Sequence, residues 1–176
     1  VEKEVAEMPT AVYGSYGEKE PIRAILGEYD ALPGLNQAAE PIRKPIKESE
    51  PGHGCGHNLL GTASLGASLA VKSAIENGEV EGTIRYYGCT AEEVFNAKGY
   101  MIKKGLFDNV DICLSWHPSF FNMLNKMTNL AMNSVSFYFH GKTAHAAADP
   151  QNARSALDAV ELMNVGANYL REHIIP

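Results

Sequence analysis

Cysteine is scarce in this chain of 176 residues: Cys55, Cys89 and Cys113 make three, an odd number that builds no even disulfide framework and suits a reducing cytosol. A surplus of positive charge is also missing. Fifteen Lys and Arg stand against 21 Asp and Glu, for a net charge of −6, and the two signs are interspersed. No basic face is therefore on offer to nucleic acid, whose phosphates demand one. No apolar run is long enough to span a bilayer, which argues against a membrane partner. No Gly-x-Gly-x-x-Gly turn follows any strand-like segment, so an oxidoreductase of dinucleotide-binding type lacks its phosphate cradle. Internal repeats and low-complexity tracts are absent too. No secretory signal is visible, and the chain opens at Val1 rather than at an initiator methionine. A cytoplasmic location is the expectation. The length allows one domain with a real core, or one domain plus part of another.

What is present is an alternation of strand-like and helix-like segments. Apolar, β-branched and aromatic residues from Thr10 to Tyr16 and from Ile22 to Tyr29 predict two strands, and Gly17-Glu18-Lys19-Glu20 between them reads as a hairpin connection. A loop rich in Pro, Lys and Glu follows. Gly56 to Glu76 predicts a helix ended by Asn77-Gly78. Its small residues, Gly61, Ala63, Ser64, Gly66, Ala67 and Ala70, let another backbone approach closely, so the helix is expected to be buried. Thr83 to Cys89 predicts a strand, Ala97 to Lys104 a short helix, and Val110 to Trp116 another strand. This pattern implies an α/β fold, a mainly parallel sheet with helices on both faces. Beyond Pro118 the pattern changes. Val135, Phe137 and Phe139 alternate with polar neighbours, as in a half-buried strand, and an amphipathic helix is expected from Asn152 to Glu172, with Ala153, Leu157, Val160, Ala167 and Leu170 on one stripe. A boundary is placed near Asn129: residues 1–129 form part of a catalytic domain, and residues 130–176 open a smaller α+β domain.

Four clusters could carry chemistry. In His53-Gly54-Cys55-Gly56-His57 the glycines let the backbone bend so that Cys55 and His57 face one point, and both are good ligands for zinc-like ions. Glu92 and Glu93 follow the strand ending at Cys89; adjacent carboxylates point different ways, so one can bind metal while the other takes a proton from water. His117, before Pro118, sits at the end of the next strand, and Asp30 follows the strand that begins at Ile22. Taken singly, each has a plain structural explanation: a buried cysteine, an acidic helix start, a polar rim histidine, a turn-forming aspartate. Together they all fall at the carboxyl edge of the sheet, where open α/β folds place their ligands. Convergence favours a metal site.

Longer motifs agree with this. Leu26-Gly27-Glu28-Tyr29-Asp30-Ala31-Leu32-Pro33-Gly34-Leu35, then Gly52-His53-Gly54-Cys55-Gly56-His57-Asn58-Leu59-Leu60-Gly61, Ala91-Glu92-Glu93, Ser115-Trp116-His117-Pro118, His140-Gly141-Lys142-Thr143-Ala144-His145-Ala146-Ala147 and Arg154 to Asn164 together resemble the aminoacylase/carboxypeptidase family of binuclear metallohydrolases. The likeness is to its amidohydrolase branch and runs from about Ile22 onward.

The resemblance implies hydrolysis of the amide bond of an N-acyl amino acid, such as p-aminobenzoyl-glutamate, by metal-activated water. Carried across position by position, it makes Cys55, His57, Glu93 and His117 metal ligands and Glu92 the general base, with Asp30 a supporting carboxylate. It implies two divalent ions, zinc or manganese first, with cobalt or nickel as alternatives. It further implies a smaller domain that mediates dimerisation and closes over the site, from which His145 reaches the scissile carbonyl oxygen, often of the partner's site. A homodimer is the expected assembly, with a related subunit as the alternative partner. Family members are more than twice this length, and their last ligating histidine lies near the far C-terminus. His173 does not match it by motif, so the chain is expected to be a fragment that is inactive alone. Three rivals stand beside this reading: the same chemistry on dipeptides or auxin conjugates, a non-catalytic subunit, and the dinucleotide-binding oxidoreductase already disfavoured.

Overall fold

A computed structural model of the chain describes residues 1–124 and 131–174; the boundary expected near Asn129 lies outside the described residues. The backbone divides into two compact units, Val1–Asn122 and Met123–Pro176.

The first unit is built on a five-stranded sheet of β1 (Glu2–Lys3), β2 (Val12–Tyr16), β3 (Ile22–Glu28), β4 (Thr83–Cys89) and β5 (Ile112–Leu114), in the order β1-β2-β4-β3-β5. Strands β4, β3 and β5 run parallel, with Ile22 opposite Thr83 and Glu28 opposite Cys89, whereas β2 lies antiparallel on β4 and β1 antiparallel on β2. The expected hairpin between the first two long strands does not form. β4 inserts between β2 and β3 instead. Both ends of β4 are buried, so it gains a ladder on each side, which a simple hairpin would deny it. The residues after Tyr16 serve as a longer connection across β4.

Strand periodicity then sorts the faces. Ala24 and Tyr87 point into a core with Cys89, Met8 and Ala11, closed by Ala97 and Met101 of α3 (Ala97–Lys103, preceded by the one-turn α2, Glu92–Phe95). Tyr86, one residue from Tyr87, points the other way and donates its hydroxyl to the Gly61 carbonyl of α1 (His57–Glu76). Helices therefore cover both faces, as the alternating pattern implies. α1 begins and ends where expected, with Gly56 before it and Asn77 as its cap, but it is buried along one face only: Leu60, Gly61, Ser64 and Ser68 turn inward while Leu59, Leu65 and Leu69 stay exposed. Gly61 shows why a small residue is needed, since a Cβ there would lie 2.6 Å from the Glu28 carbonyl oxygen. That close approach brings the first turn of α1, and so His57, over the carboxyl end of β3.

The second unit contains α4 (Ala156–Leu170), shorter than the helix expected from Asn152 to Glu172. Ser155 ends it at the front by accepting the Asp158 backbone N–H at 3.1 Å, and 3-10 turns at Pro150–Asn152 and Arg171–His173 take up the flanks. The strand expected from Val135 to His140 is not formed. Alternation supplies a face, but a strand also needs a ladder partner. Among the described residues none pairs with this segment, and Val135 and Phe137 are each 63% exposed. No helix among the described residues is long and apolar enough to cross a membrane.

Candidate metal centre

The site grows from the carboxyl end of β3. Where the chain leaves β3, Leu32 and Gly52 exchange both backbone hydrogen bonds at 3.0 Å, which pins the Asp30 loop to the segment leading into Cys55. Gly56 follows in the left-handed region (φ +84°), and a Cβ there would come within 2.9 Å of Pro118. Only glycine makes both the turn and the approach. The result is that Cys55, His57 and His117 each bring one ligand-capable atom within 4.8 Å of the others, and Cys55 Sγ lies 3.2 Å from His117 Nε2.

The two histidines are held alike. His57 Nδ1 is 3.0 Å from Asp30 Oδ1, and His117 Nδ1 is 2.9 Å from the Pro118 carbonyl oxygen. A carbonyl only accepts, so the His117 proton sits on Nδ1, and a neutral His57 ring likewise donates from Nδ1 to Asp30. Each Nε2 then carries a lone pair. An imidazole whose far N–H is engaged by a carboxylate or carbonyl is the arrangement of a metal-ligating histidine. His57 is 1% exposed, and its Nε2 has no hydrogen-bond partner; Glu93 Oε1 is buried and equally unpartnered. Buried polar atoms left in that state are destabilising unless something else satisfies them. A divalent cation fits this donor set: thiolate, imidazole nitrogen and carboxylate oxygen.

Asp30 does two jobs. While Oδ1 faces His57, Oδ2 accepts the backbone N–H of Glu93 at 3.0 Å, tying the β4–α2 corner to the first turn of α1. That corner is tight: Ala91 and Asn96, on either side of α2, both take left-handed backbone angles, a conformation that stores strain and concentrates at functional sites. The two glutamates separate in consequence. Glu92 approaches Glu28 and His57, the three forming a second group of ligand-capable atoms within 4.8 Å. Glu93 belongs to neither group, although its carboxylate lies against Cys55. Burial foremost, and then the Glu93, Glu92 and Glu28 carboxylates, push the Cys55 thiol above its ordinary range. A cation at this point would reverse that balance and favour the thiolate ligand.

Of the residues singled out in the sequence, Asp30, Cys55, His57, Glu92, Glu93 and His117 thus share one end of the first unit. His145 is in the second unit, where its Nδ1 accepts the backbone N–H groups of Ala147 and Ala148 at 3.2 and 3.1 Å. Glu28 and Lys98 adjoin this cluster without having been singled out in the sequence. Glu28 had a legible signal: it sits two residues before Asp30, a spacing that puts both carboxylates on one side of an extended chain. Lys98, 70 residues away, had none.

Comparison with known proteins follows the same lines. Residues 24–173 match the model of peptidase family M20/M25/M40. The chain is 47% identical over 178 aligned residues to a subunit of the p-aminobenzoyl-glutamate hydrolase of Escherichia coli, covering 99% of this chain and 37% of that protein. It is 33% identical to the mouse Xaa-Arg dipeptidase, covering 87% of this chain and 32% of that one. This chain therefore spans only about a third of the length of these relatives. A Bacillus subtilis dinuclear metal-binding peptidase of the M20 family superposes with a TM-score of 0.55 at 24% identity, over 65% of this chain and 32% of that chain, which is a likeness of fold.

Proposed function

This chain belongs to peptidase family M20/M25/M40, and from that premise we propose that it forms part of a metal-dependent hydrolase that cuts the amide bond of an N-acyl amino acid, p-aminobenzoyl-glutamate foremost. One observation carries the reading: Cys55, His57 and His117 each bring a ligand-capable atom within 4.8 Å of the others, and the Nδ1 of each histidine is engaged by an oxygen of Asp30 or Pro118. Cys55, His57, His117 and Glu93 would hold two divalent ions, zinc or manganese. When bound, these supply Lewis acidity, making water easier to deprotonate and an amide carbonyl easier to attack.

The remaining work falls to side chains. Glu92 takes the proton of the attacking water and passes it to the leaving amine nitrogen. Asp30 keeps the His57 ring turned and fixes the Glu93 backbone, so neither has to reorganise during the reaction. His145 donates from Nε2 to the carbonyl oxygen as negative charge gathers there. In this reading residues 1–129 belong to the catalytic domain and residues 130–176 open a dimerisation and lid domain. The partner is a second copy or a related subunit, and the enzyme works in the cytoplasm, in keeping with three free cysteines among the described residues.

The test uses the full-length protein that contains this chain, purified with zinc or manganese supplied. Elemental analysis is expected to give two divalent ions per subunit, and hydrolysis of p-aminobenzoyl-glutamate is expected to exceed that of Xaa-Arg dipeptides. Metal-free protein after supplementation overturns the reading. Faster cleavage of the dipeptides keeps the chemistry and reassigns the substrate.

A further inference from the structure

Glu28 is the charged residue that the mechanism leaves idle, and it is almost fully buried, at 7% exposure. Its two oxygens have different neighbours. Oε1 takes an ion pair from Lys98 Nζ. Oε2 lies 3.1 Å from His57 Nε2, yet the pair does not meet the alignment of a hydrogen bond, and Nε2 remains unpartnered. In the neutral ring, whose one proton faces Asp30, a nitrogen lone pair and a carboxylate oxygen point at each other inside the protein. Left like that they repel. They attract when a cation lies beside both.

The spacing suits such a cation. Imidazole nitrogen and carboxylate oxygen each bind zinc-like ions at about 2.0–2.2 Å, so two neighbouring ligands of one ion stand roughly 3 Å apart. Cys55 Sγ and His117 Nε2, at 3.2 Å, have the same relation. Glu92 also comes within 4.8 Å of the Glu28 and His57 atoms, so the site gathers oxygen donors on this side and sulfur on the other. Lys98 decides which Glu28 oxygen is available. By occupying Oε1 it leaves Oε2 as the free donor, and it offsets part of the negative charge accumulated by Glu28, Asp30, Glu92 and Glu93.

We propose that Glu28, gripped by Lys98, is a further residue of the metal centre, supplying Oε2 to the ion that His57 holds, with Lys98 as its positioning residue. This rests on the metal-hydrolase reading above. Glu28 lies on β3 and Lys98 on α3, so the pair also anchors the helix that follows Glu92 and Glu93 to the strand that precedes Asp30.

The experiment measures Co²⁺ binding to the metal-stripped full-length protein by calorimetry, together with the visible and near-ultraviolet spectrum of the cobalt form. Wild type is expected to bind cobalt with a thiolate-to-metal charge-transfer band from Cys55. Glu28→Gln is expected to weaken one of the bound ions by on the order of 10–100-fold and to change the d–d bands, because an anionic carboxylate donor is replaced by a neutral amide. Lys98→Met is expected to move affinity and spectrum the same way, and Lys98→Arg to restore both. Should Glu28→Gln fail to fold, as judged by circular dichroism, the Lys98→Met and Lys98→Arg pair decides alone. Wild-type affinity and spectrum in Glu28→Gln and Lys98→Met overturn the assignment: Glu28 would then be only a counter-charge to the His57 ring. A lower melting temperature with an unchanged cobalt spectrum overturns it too. Those outcomes leave the metal reading intact, whereas a wild-type protein that binds no cobalt overturns both.

Discussion

Glu92 and Glu93 are chemically identical and adjacent, yet the backbone gives them different surroundings. Glu93 donates its backbone N–H to Asp30, and one of its carboxylate oxygens is buried without a partner. Glu92 turns toward Glu28 and His57. A buried oxygen with nothing to bond is suited to hold an ion; a carboxylate beside the ion's ligands is suited to take a proton. On this division Glu92→Gln, which keeps size and hydrogen bonding, is expected to lower kcat by on the order of a hundredfold or more while the metal content stays unchanged. Glu93→Gln is expected to lower the metal content itself. Steady-state kinetics paired with elemental analysis on both variants checks this, and near-full activity of Glu92→Gln would remove it from the base role. Most of the candidate cluster was legible at this scale, because Asp30, Cys55, His57, Glu92, Glu93 and His117 stand in short motifs at strand ends. The Lys98–Glu28 ion pair was not, because it joins residues 70 apart in the chain and nothing local to Lys98 signals it.

Elements show a sharper divide between what local pattern determines and what assembly determines. β4 spans Thr83–Cys89 and α1 spans His57–Glu76, nearly residue for residue as their patterns imply, since Asn77-Gly78 and the β-branched and aromatic run are local signals. Strand order is not local: β4 begins at Thr83, far along the chain from the end of β2 at Tyr16, and takes the place beside it that a hairpin would have given β3. The glycines of α1 show the same divide. Gly61 and Gly66 look equivalent in sequence, but a Cβ at Gly61 would strike the Glu28 carbonyl oxygen at 2.6 Å, while one at Gly66 meets nothing within 4 Å. The same substitution therefore has opposite expected signs. Gly66→Ala is expected to raise stability by about 0.5–1 kcal/mol through helix propensity. Gly61→Ala is expected to lower it by about 1–3 kcal/mol through overpacking, and to weaken metal binding, since α1 must lift away from β3 and take His57 with it. Urea unfolding of the two variants in the full-length protein measures both. Equal shifts of the same sign would show that α1 does not press on β3 as described.

For the whole molecule, the question is whether a histidine in the second unit serves the chemistry of the first. His145 caps a turn, because its Nδ1 accepts the N–H groups of Ala147 and Ala148. That structural duty is compatible with the catalytic one proposed above. A nitrogen that accepts from two backbone donors carries no proton, so in the neutral ring the proton is on Nε2, which can only donate. The turn thereby holds His145 in the tautomer needed to stabilise an oxyanion. Small neighbours, Ala144, Ala146 and Ala147, leave room around the ring for a substrate or for another subunit's loop. Loss of one such donor is expected to raise the barrier by about 2.7–4 kcal/mol, so His145→Ala should reduce kcat by roughly two to three orders of magnitude without changing metal content. If His145 acts on the partner's site, as proposed for a dimer, mixing inactive Glu92→Gln subunits with inactive His145→Ala subunits is expected to restore activity. One site of each mixed dimer then combines an intact Glu92 with an intact His145, and the other lacks both. Full-length subunits carrying different affinity tags allow the mixed dimers to be isolated before assay. No recovery in isolated mixed dimers would place His145 in its own subunit's site, and wild-type rates for His145→Ala alone would leave the ring as a turn cap and nothing more.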